Sequence, residues 1–358
     1  MNSITGSLLD KRVIIVLGAG GVGKTTTAAA IACGAARSGK RVALLSIDPA
    51  KRLADAMGIK LGFELCKVES SEFKGELYAC MLDQAAVFDA MVRKFATPVT
   101  QEKIFANRVY AQVSRNLGGP LEYMALAKLG DISAEEYDLI VVDTPPDVHA
   151  LDFLRRPNIL SGFTEAGVMK WLIKPFYLAQ KMGLGKIFTL GEKLMGGIAA
   201  VTGVAMLEKI AEFLVLMDDV IKGFHDSGAV VLNLLKSDET SFGIVSSPYP
   251  ASMRALENII SELKKDDFPM DFVVLNRTSN SVEVDLAALE KLDVNQRWWV
   301  DIFTKRGQQS DMAFSRLRQC LADYGYQGTS VSLVGELSKN ISDINDLCRF
   351  ANKIGVST

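Results

Sequence analysis

Nine residues near the start of the chain, GAGGVGKTT at 18–26, place a glycine, four further residues and then Gly-Lys-Thr in a row, the spacing of a phosphate-binding loop. The backbone N–H groups of such a turn surround phosphate oxygens, and a helix that starts where the turn ends points its positive terminus at them. In this arrangement Gly20, Gly21, Val22, Gly23, Lys24, Thr25 and Thr26 form the cradle. Lys24 reaches the β and γ phosphates and the Thr25 hydroxyl ligates Mg²⁺. Two carboxylates close later apolar runs. Asp48 ends RVALLSID, where a carboxylate orients water for attack on a γ-phosphoryl group, a reaction that depends on positioning and charge stabilisation. Capping the helix that follows is the other role open to it. Asp143 ends LIVVD, as does the carboxylate that holds Mg²⁺ through water in such sites.

These groups meet if the runs that carry them are strands of one open parallel sheet, because ligands sit at the carboxyl ends of its strands. RVIIVL (12–17), RVALLSID (41–48), ELYACML (76–82) and YDLIVVDT (137–144) read as buried strands, and so do SFGIVSS (241–247), MDFVVLN (270–276) and TSVSLV (329–334). Helical sequence alternates with them. The pattern is an α/β fold, a doubly wound and mostly parallel sheet with helices on both faces. Between 151 and 228 the texture changes to Met, Leu, Phe and Gly, and in MLEKIAEFLVLMDDVIKGF the residues Met206, Ile210, Phe213, Leu214, Met217, Val220, Ile221 and Phe224 recur at helical spacing. The expected organisation is one ATPase-type domain in two parts, 1–150 and 229–358, with a helical insertion at 151–228. The apolar stripe of the insertion either packs on neighbouring helices or a second subunit, or lines an adaptable Met-rich groove for an apolar client.

Composition narrows the partners. The chain has 358 residues, 49% of them hydrophobic, and a formal charge of −2, so nothing draws it to nucleic acid or anionic lipid. Its five cysteines, Cys33, Cys66, Cys80, Cys320 and Cys348, show no CxxC pair, which suits free thiols in a reducing cytosol. The opening MNSITGSLLDKR has no apolar signal segment, and the longest uncharged run, LMGGIAAVTGVAML (194–207), is short for a membrane span. A cytoplasmic location is expected. His149 reads as a structural group or as a relay from the segment after Asp143. His225, beside Asp226, reads as a polar helix end, and Trp298 and Trp299 as core or interface.

GAGGVGKTT, SIDPAKRLADAMG, VVDTPP followed by His149, and the helical insertion together resemble the ArsA/Get ATPases. These comprise arsenite-pump ATPases and targeting factors for tail-anchored membrane proteins, within the deviant Walker A group of P-loop NTPases that contains MinD and ParA. The likeness covers almost the whole chain. ANRVYAQVSRNLGGPLEYMALAKLG and SSPYPASMRALENIISEL before FVVLNRT resemble a bacterial single-domain branch in particular. The resemblance implies a dimeric, Mg-dependent ATP-hydrolysing switch, with Asp48 on the attacking water, Asp143 in the metal shell and Asn276 reading adenine. A turn-forming role is the alternative for Asn276.

Departures from the family pattern matter as much. Family members carry a lysine at the place of Ala19, and it reaches across the dimer to the partner's nucleotide. Ala19 has no charge to give, so the cation comes from a different partner or from Lys51 or Arg52, or hydrolysis is slow. The absence of CxxC and of clustered cysteines argues against a zinc-bridged dimer, arsenite activation and iron–sulfur carriage. The expectation is an ATPase coupled to a hydrophobic client or membrane protein, as a homodimer or with a related ATPase. The alternative is a nucleotide-binding regulatory subunit with little hydrolysis of its own. A ParA/MinD-like positioning ATPase calls for a basic amphipathic end, which DINDLCRFANKIGVST hardly offers.

Overall fold

A computed structural model of the chain describes residues 8–48, 50–107, 109–110, 121–145, 212–213, 215–280, 292–337 and 339–356, with the backbone alone at 121–123. Its strands are β1 (Val13–Leu17), β2 (Arg41–Ser46), β3 (Cys66–Val68), β4 (Glu76–Met81), β5 (Leu139–Asp143), β6 (Thr240–Ser246), β7 (Met270–Thr278) and β8 (Ser330–Gly335). They form one sheet in the order β3-β4-β2-β5-β1-β6-β7-β8. Every pair is parallel except β3 with β4. The expected α/β architecture is the one observed.

Helices join the strands: α1 (Lys24–Arg37), α2 (Arg52–Met57), α3 (Gln84–Phe95), α4 (Pro98–Ala106), α5 (Leu121–Ser133), α6 (Asp218–Lys236), α7 (Pro250–Lys265), α8 (Val294–Asp323) and α9 (Ile344–Lys353). β1 and β5 are buried at every position, which is why their sequences are unbroken apolar runs and not alternating ones. Ile14, Val16, Leu44 and Val141 turn to one face, where they share a core with α1 and α9. α1 is rich in alanine, so its backbone lies close to the sheet and to α9. At Gly34 a Cβ would stand 2.7 Å from a Val356 methyl. Register carries the consequence for chemistry: Asp143 is level with Val16 of β1 and with Ser46 of β2.

The chain divides into two compact units, one formed by Met1–Leu82, Asp131–Asp152 and Leu232–Thr358, the other by Asp83–Gly130 and Phe153–Val231. The first holds the whole sheet. In the second, Asp83 caps α3 by accepting from the Ala86 N–H at 3.0 Å, and Thr97 caps α4, which opens on Pro98. Tyr110 is an aromatic centre there: its ring lies 5.6 Å from Phe88, 5.5 Å from Phe105 and 6.4 Å from Phe213, and its hydroxyl donates to Asp89.

Residues 151–211 of the expected insertion, with His149, Met206 and Ile210, lie outside the described residues, as does Leu214. Of the apolar stripe that follows, Phe213, Met217, Val220 and Phe224 are buried. Trp298 and Trp299 are not core: they are 56% and 53% exposed on α8, edge to face at 4.8 Å, with Trp299 stacked on an exposed Phe303. Cys33, Cys66, Cys80, Cys320 and Cys348 are free thiols. Among the described residues no helix is long and apolar enough to cross a membrane.

Candidate active site

The loop after β1 is shaped by what its glycines lack. Gly18 has φ +149, and a Cβ there would lie 2.2 Å from the Val245 carbonyl oxygen of β6. Gly23 has φ +103, and its Cβ would lie 2.6 Å from the Asn276 amide nitrogen. Gly23 also stands at the N-cap of α1, which has no side-chain cap, so the first N–H groups of the helix face the loop. Val22 anchors the turn by burial in the core.

Lys24 is the first residue of α1 and is buried, with its ammonium donating to the Ala19 carbonyl at 2.9 Å. Burial lowers its pKa, while Asp143 and Asp48 counteract that and Arg52 adds to it. Lysine, two carboxylates and a guanidinium therefore share one electrostatic neighbourhood at the ends of β1, β2 and β5.

Asp143 is fully buried at the end of β5. Its Oδ2 accepts from the Ser46 hydroxyl at 2.8 Å, whereas Oδ1 is buried with no hydrogen-bond partner. Burial pushes its pKa up to about 6, against the Ser46 and Thr25 hydroxyls and the Lys24 charge, which favour the anion; Asp48 adds to the rise. An orphaned carboxylate oxygen costs free energy unless something positive completes it. Next to it, the Thr25 hydroxyl gives a second hard oxygen. Mg²⁺ keeps most of its waters and takes one or two protein oxygens, so this donor set fits it. Among the described residues no group of three or more His, Cys, Asp or Glu could hold a metal ion. Thr144, next in sequence, donates to the Val16 carbonyl at 2.8 Å and ties the end of β5 to β1.

Asp48 is buried two residues past β2. It is not the cap of α2, whose N-cap position is Lys51 with no side-chain cap bond. Instead Oδ1 accepts from the Ala50 N–H at 2.9 Å and Oδ2 lies 3.1 Å from a guanidinium nitrogen of Arg52. Asn276, near the end of β7, donates to the Val22 carbonyl at 2.9 Å and accepts from the Arg277 N–H at 2.9 Å. One N–H and one lone pair of its amide remain for a ligand. Gly20, Gly21, Thr25 and Thr26 are in the loop and first turn of α1 with these groups. Sequence reasoning did not find Ser46. Its signal was a hydroxyl inside a buried apolar strand, two residues before Asp48.

A parallel sheet whose first strand delivers a glycine loop to a helix, with carboxylates at the ends of two neighbouring strands, defines a P-loop nucleoside-triphosphate-binding protein. Residues 11–306 match the family model for anion-transporting ATPases, and the chain belongs to this ArsA ATPase family. It is 27% identical over 338 residues to the ATPase ASNA1 homolog of Babesia bovis, covering 93% of this chain and 81% of that one. It is 28% identical over 272 residues to ATPase ASNA1 homolog 1 of Paramecium tetraurelia, 74% of each chain. Over 284 residues it is 27% identical to the ATPase GET3 of Podospora anserina, 76% of this chain and 75% of that one. The chain is an ATPase of the ArsA/Get type.

Proposed function

We propose that the chain is a Mg-dependent, ATP-driven switch of the deviant Walker A group, acting in the cytosol as a dimer with itself or a related ATPase. The observation that carries this reading is the orphaned Oδ1 of Asp143 beside Thr25, in a sheet-end site that already holds a buried lysine. Mg²⁺, when bound, neutralises charge on the β and γ phosphates. The chain's residues do the rest. Loop N–H groups of Gly20 to Gly23 and the open end of α1 hold the phosphates, with Thr25 and Thr26 in the first turn. Lys24 exchanges its bond to the Ala19 carbonyl for phosphate oxygens. Thr25 and Asp143 hold the metal, Asp48 orients water, and Asn276 offers adenine its remaining donor and acceptor.

Loss of the γ-phosphate then resets the segments after Asp48 and Asp143, since a switch needs contacts that differ between nucleotide states. What the switch serves is a hydrophobic client or membrane protein, and not nucleic acid. This part follows from the resemblance and from the apolar sequence of 151–228. A regulatory subunit that binds without hydrolysing is not favoured, because the relatives are named as ATPases.

Hydrogen exchange of the 50–57 and 83–107 segments tests the switch. Exchange should differ between Mg-ADP and a non-hydrolysable Mg-ATP analogue in the wild type, and not in Asp143→Ala. A nucleotide-dependent difference that persists in Asp143→Ala contradicts the reading.

A further inference from the structure

Each oxygen of the carboxylate assigned to the attacking water already has a partner. Asp48 Oδ1 accepts from the Ala50 N–H, and Oδ2 is ion-paired with Arg52 at 3.1 Å. The pair is lopsided: the Asp48 side chain is 6% exposed and that of Arg52 54%. A half-exposed arginine on the first residue of a six-residue helix therefore pairs with a buried carboxylate. No other partner holds Arg52 among the described residues, so most of its five N–H groups are uncommitted. Lys51 differs: it is exposed and has no ion pair among the described residues.

Charge at the site points the same way. Lys24, Asp48, Asp143 and Arg52 sum to about zero before any phosphate arrives. Ala19, the loop position nearest the Lys24 ammonium, contributes a methyl packed against the core and a carbonyl. A triphosphate brings about four negative charges, and phosphoryl transfer needs donors on the equatorial oxygens as the bond to the leaving group loosens. A planar fork of N–H donors suits those oxygens better than an ammonium.

We propose that Arg52 is the cation of the transferring phosphoryl group, supplied in cis, and that its ion pair with Asp48 is the resting half of an exchange. When the γ-phosphate enters, its oxygens take Arg52 from Asp48. One movement delivers positive charge to the reacting group and frees Asp48 Oδ2 to orient water. The water oxygen then forms a bond to the γ-phosphorus, and the bond from that phosphorus to the β,γ-bridging oxygen breaks, its electron pair staying on ADP. A proton of the water leaves with the phosphate product, so Asp48 positions the water without retaining its proton. In the product state Arg52 returns to Asp48. This inference rests on the reading of Asp48 above.

The test compares Arg52→Ala, Arg52→Lys, Lys51→Ala and Asp48→Asn with the wild type in two readouts. One is steady-state hydrolysis of Mg-ATP. The other is calorimetric affinity for Mg-ADP with and without aluminium fluoride, a mimic of the transferring group. Arg52→Ala should keep ADP affinity within about twofold, lower kcat about 100-fold or more, and remove the gain in affinity on adding fluoride. Arg52→Lys should recover part of both losses, and Lys51→Ala should match the wild type. If Arg52→Ala keeps wild-type kcat and the fluoride gain while Asp48→Asn loses hydrolysis, the inference fails and the ATPase reading stands. A loss confined to Lys51→Ala also overturns it. If Asp48→Asn retains wild-type hydrolysis, the reading on which the inference rests fails first. Arg52 is half exposed, so its variants should fold, and unchanged thermal midpoints check that.

Discussion

Asp143 shows how a residue can be costly to the fold and useful to the site. Its folded pKa, about 6, lies above the ordinary 3.8 because burial disfavours the anion. For an acid raised in this way, the folded state binds the extra proton. The stability it contributes is present below about pH 4 and is lost as pH rises through 6. In nucleotide-free protein, Asp143→Asn should therefore match the wild type near pH 4 and exceed it by up to about 3 kcal/mol above pH 7. Urea unfolding across that range measures the difference, and a difference independent of pH contradicts the account. Asn276 makes a smaller case. Asn276→Ala removes its bond to the Val22 carbonyl and should cost about 1 kcal/mol of stability. If the free half of the amide reads adenine, the same variant also narrows the gap between ATP and GTP affinities about tenfold. Equal losses for both nucleotides leave Asn276 a loop clamp only. Lys24, Asp48 and Asp143 were legible because the loop spacing and the strand ends mark them. The Asn276 contact with Gly23 was not, because it joins residues more than 250 positions apart that only the sheet brings together.

At the scale of elements, the glycine loop is a joint between β1 and α1 whose tolerance differs from one position to the next. Gly18→Ala forces a Cβ against a β6 carbonyl at 2.2 Å, so backbone must move; a loss above about 3 kcal/mol and weakened nucleotide binding should follow. At Gly21 the φ is +75 but nothing lies within 4 Å, so Gly21→Ala carries only the backbone penalty of about 1–2 kcal/mol. Equal losses at the two positions, by urea unfolding, count against this geometry. The central strands β1 and β5 were legible as apolar runs, since both their faces are buried. β3 was not: it has three residues, a mixed pattern and one antiparallel neighbour at the sheet edge. α6 runs on to Lys236, so His225 and Asp226, which read from sequence as a polar helix end, stand inside the helix, as do Gly223 and Gly228. Gly223 is there for space, because a Cβ would lie 2.2 Å from the Phe95 ring. Gly223→Ala should lower stability by about 1–3 kcal/mol despite better helix propensity. A rise in thermal midpoint would show that propensity outweighs the contact.

The whole molecule separates a unit that holds the sheet from a second one that the chain enters twice, at Asp83–Gly130 and at Phe153–Val231. The second excursion announces itself in sequence by its Met, Leu, Phe and Gly texture. The first does not, since its charged and apolar residues mix as they do in any amphipathic helix and its caps, Asp83 and Thr97, resemble ordinary loop residues. The first excursion follows β4, neighbour of β2, and the second follows β5, the strand that ends in Asp143. The proposed coupling relies on the second of these connections, because the chain passes from Asp143 into the excursion that begins at Phe153. The central claim, that this site turns over ATP with Asp48 directing the water, is tested most directly by steady-state Mg-ATP hydrolysis over a range of protein concentrations, beside Asp48→Asn as control. The account predicts Mg-dependent turnover, rising per chain with concentration if the proposed dimer is the active form, and lost at least about 100-fold in Asp48→Asn with ATP still bound. Equal turnover in Asp48→Asn, or tight ATP binding without turnover in the wild type, would contradict it.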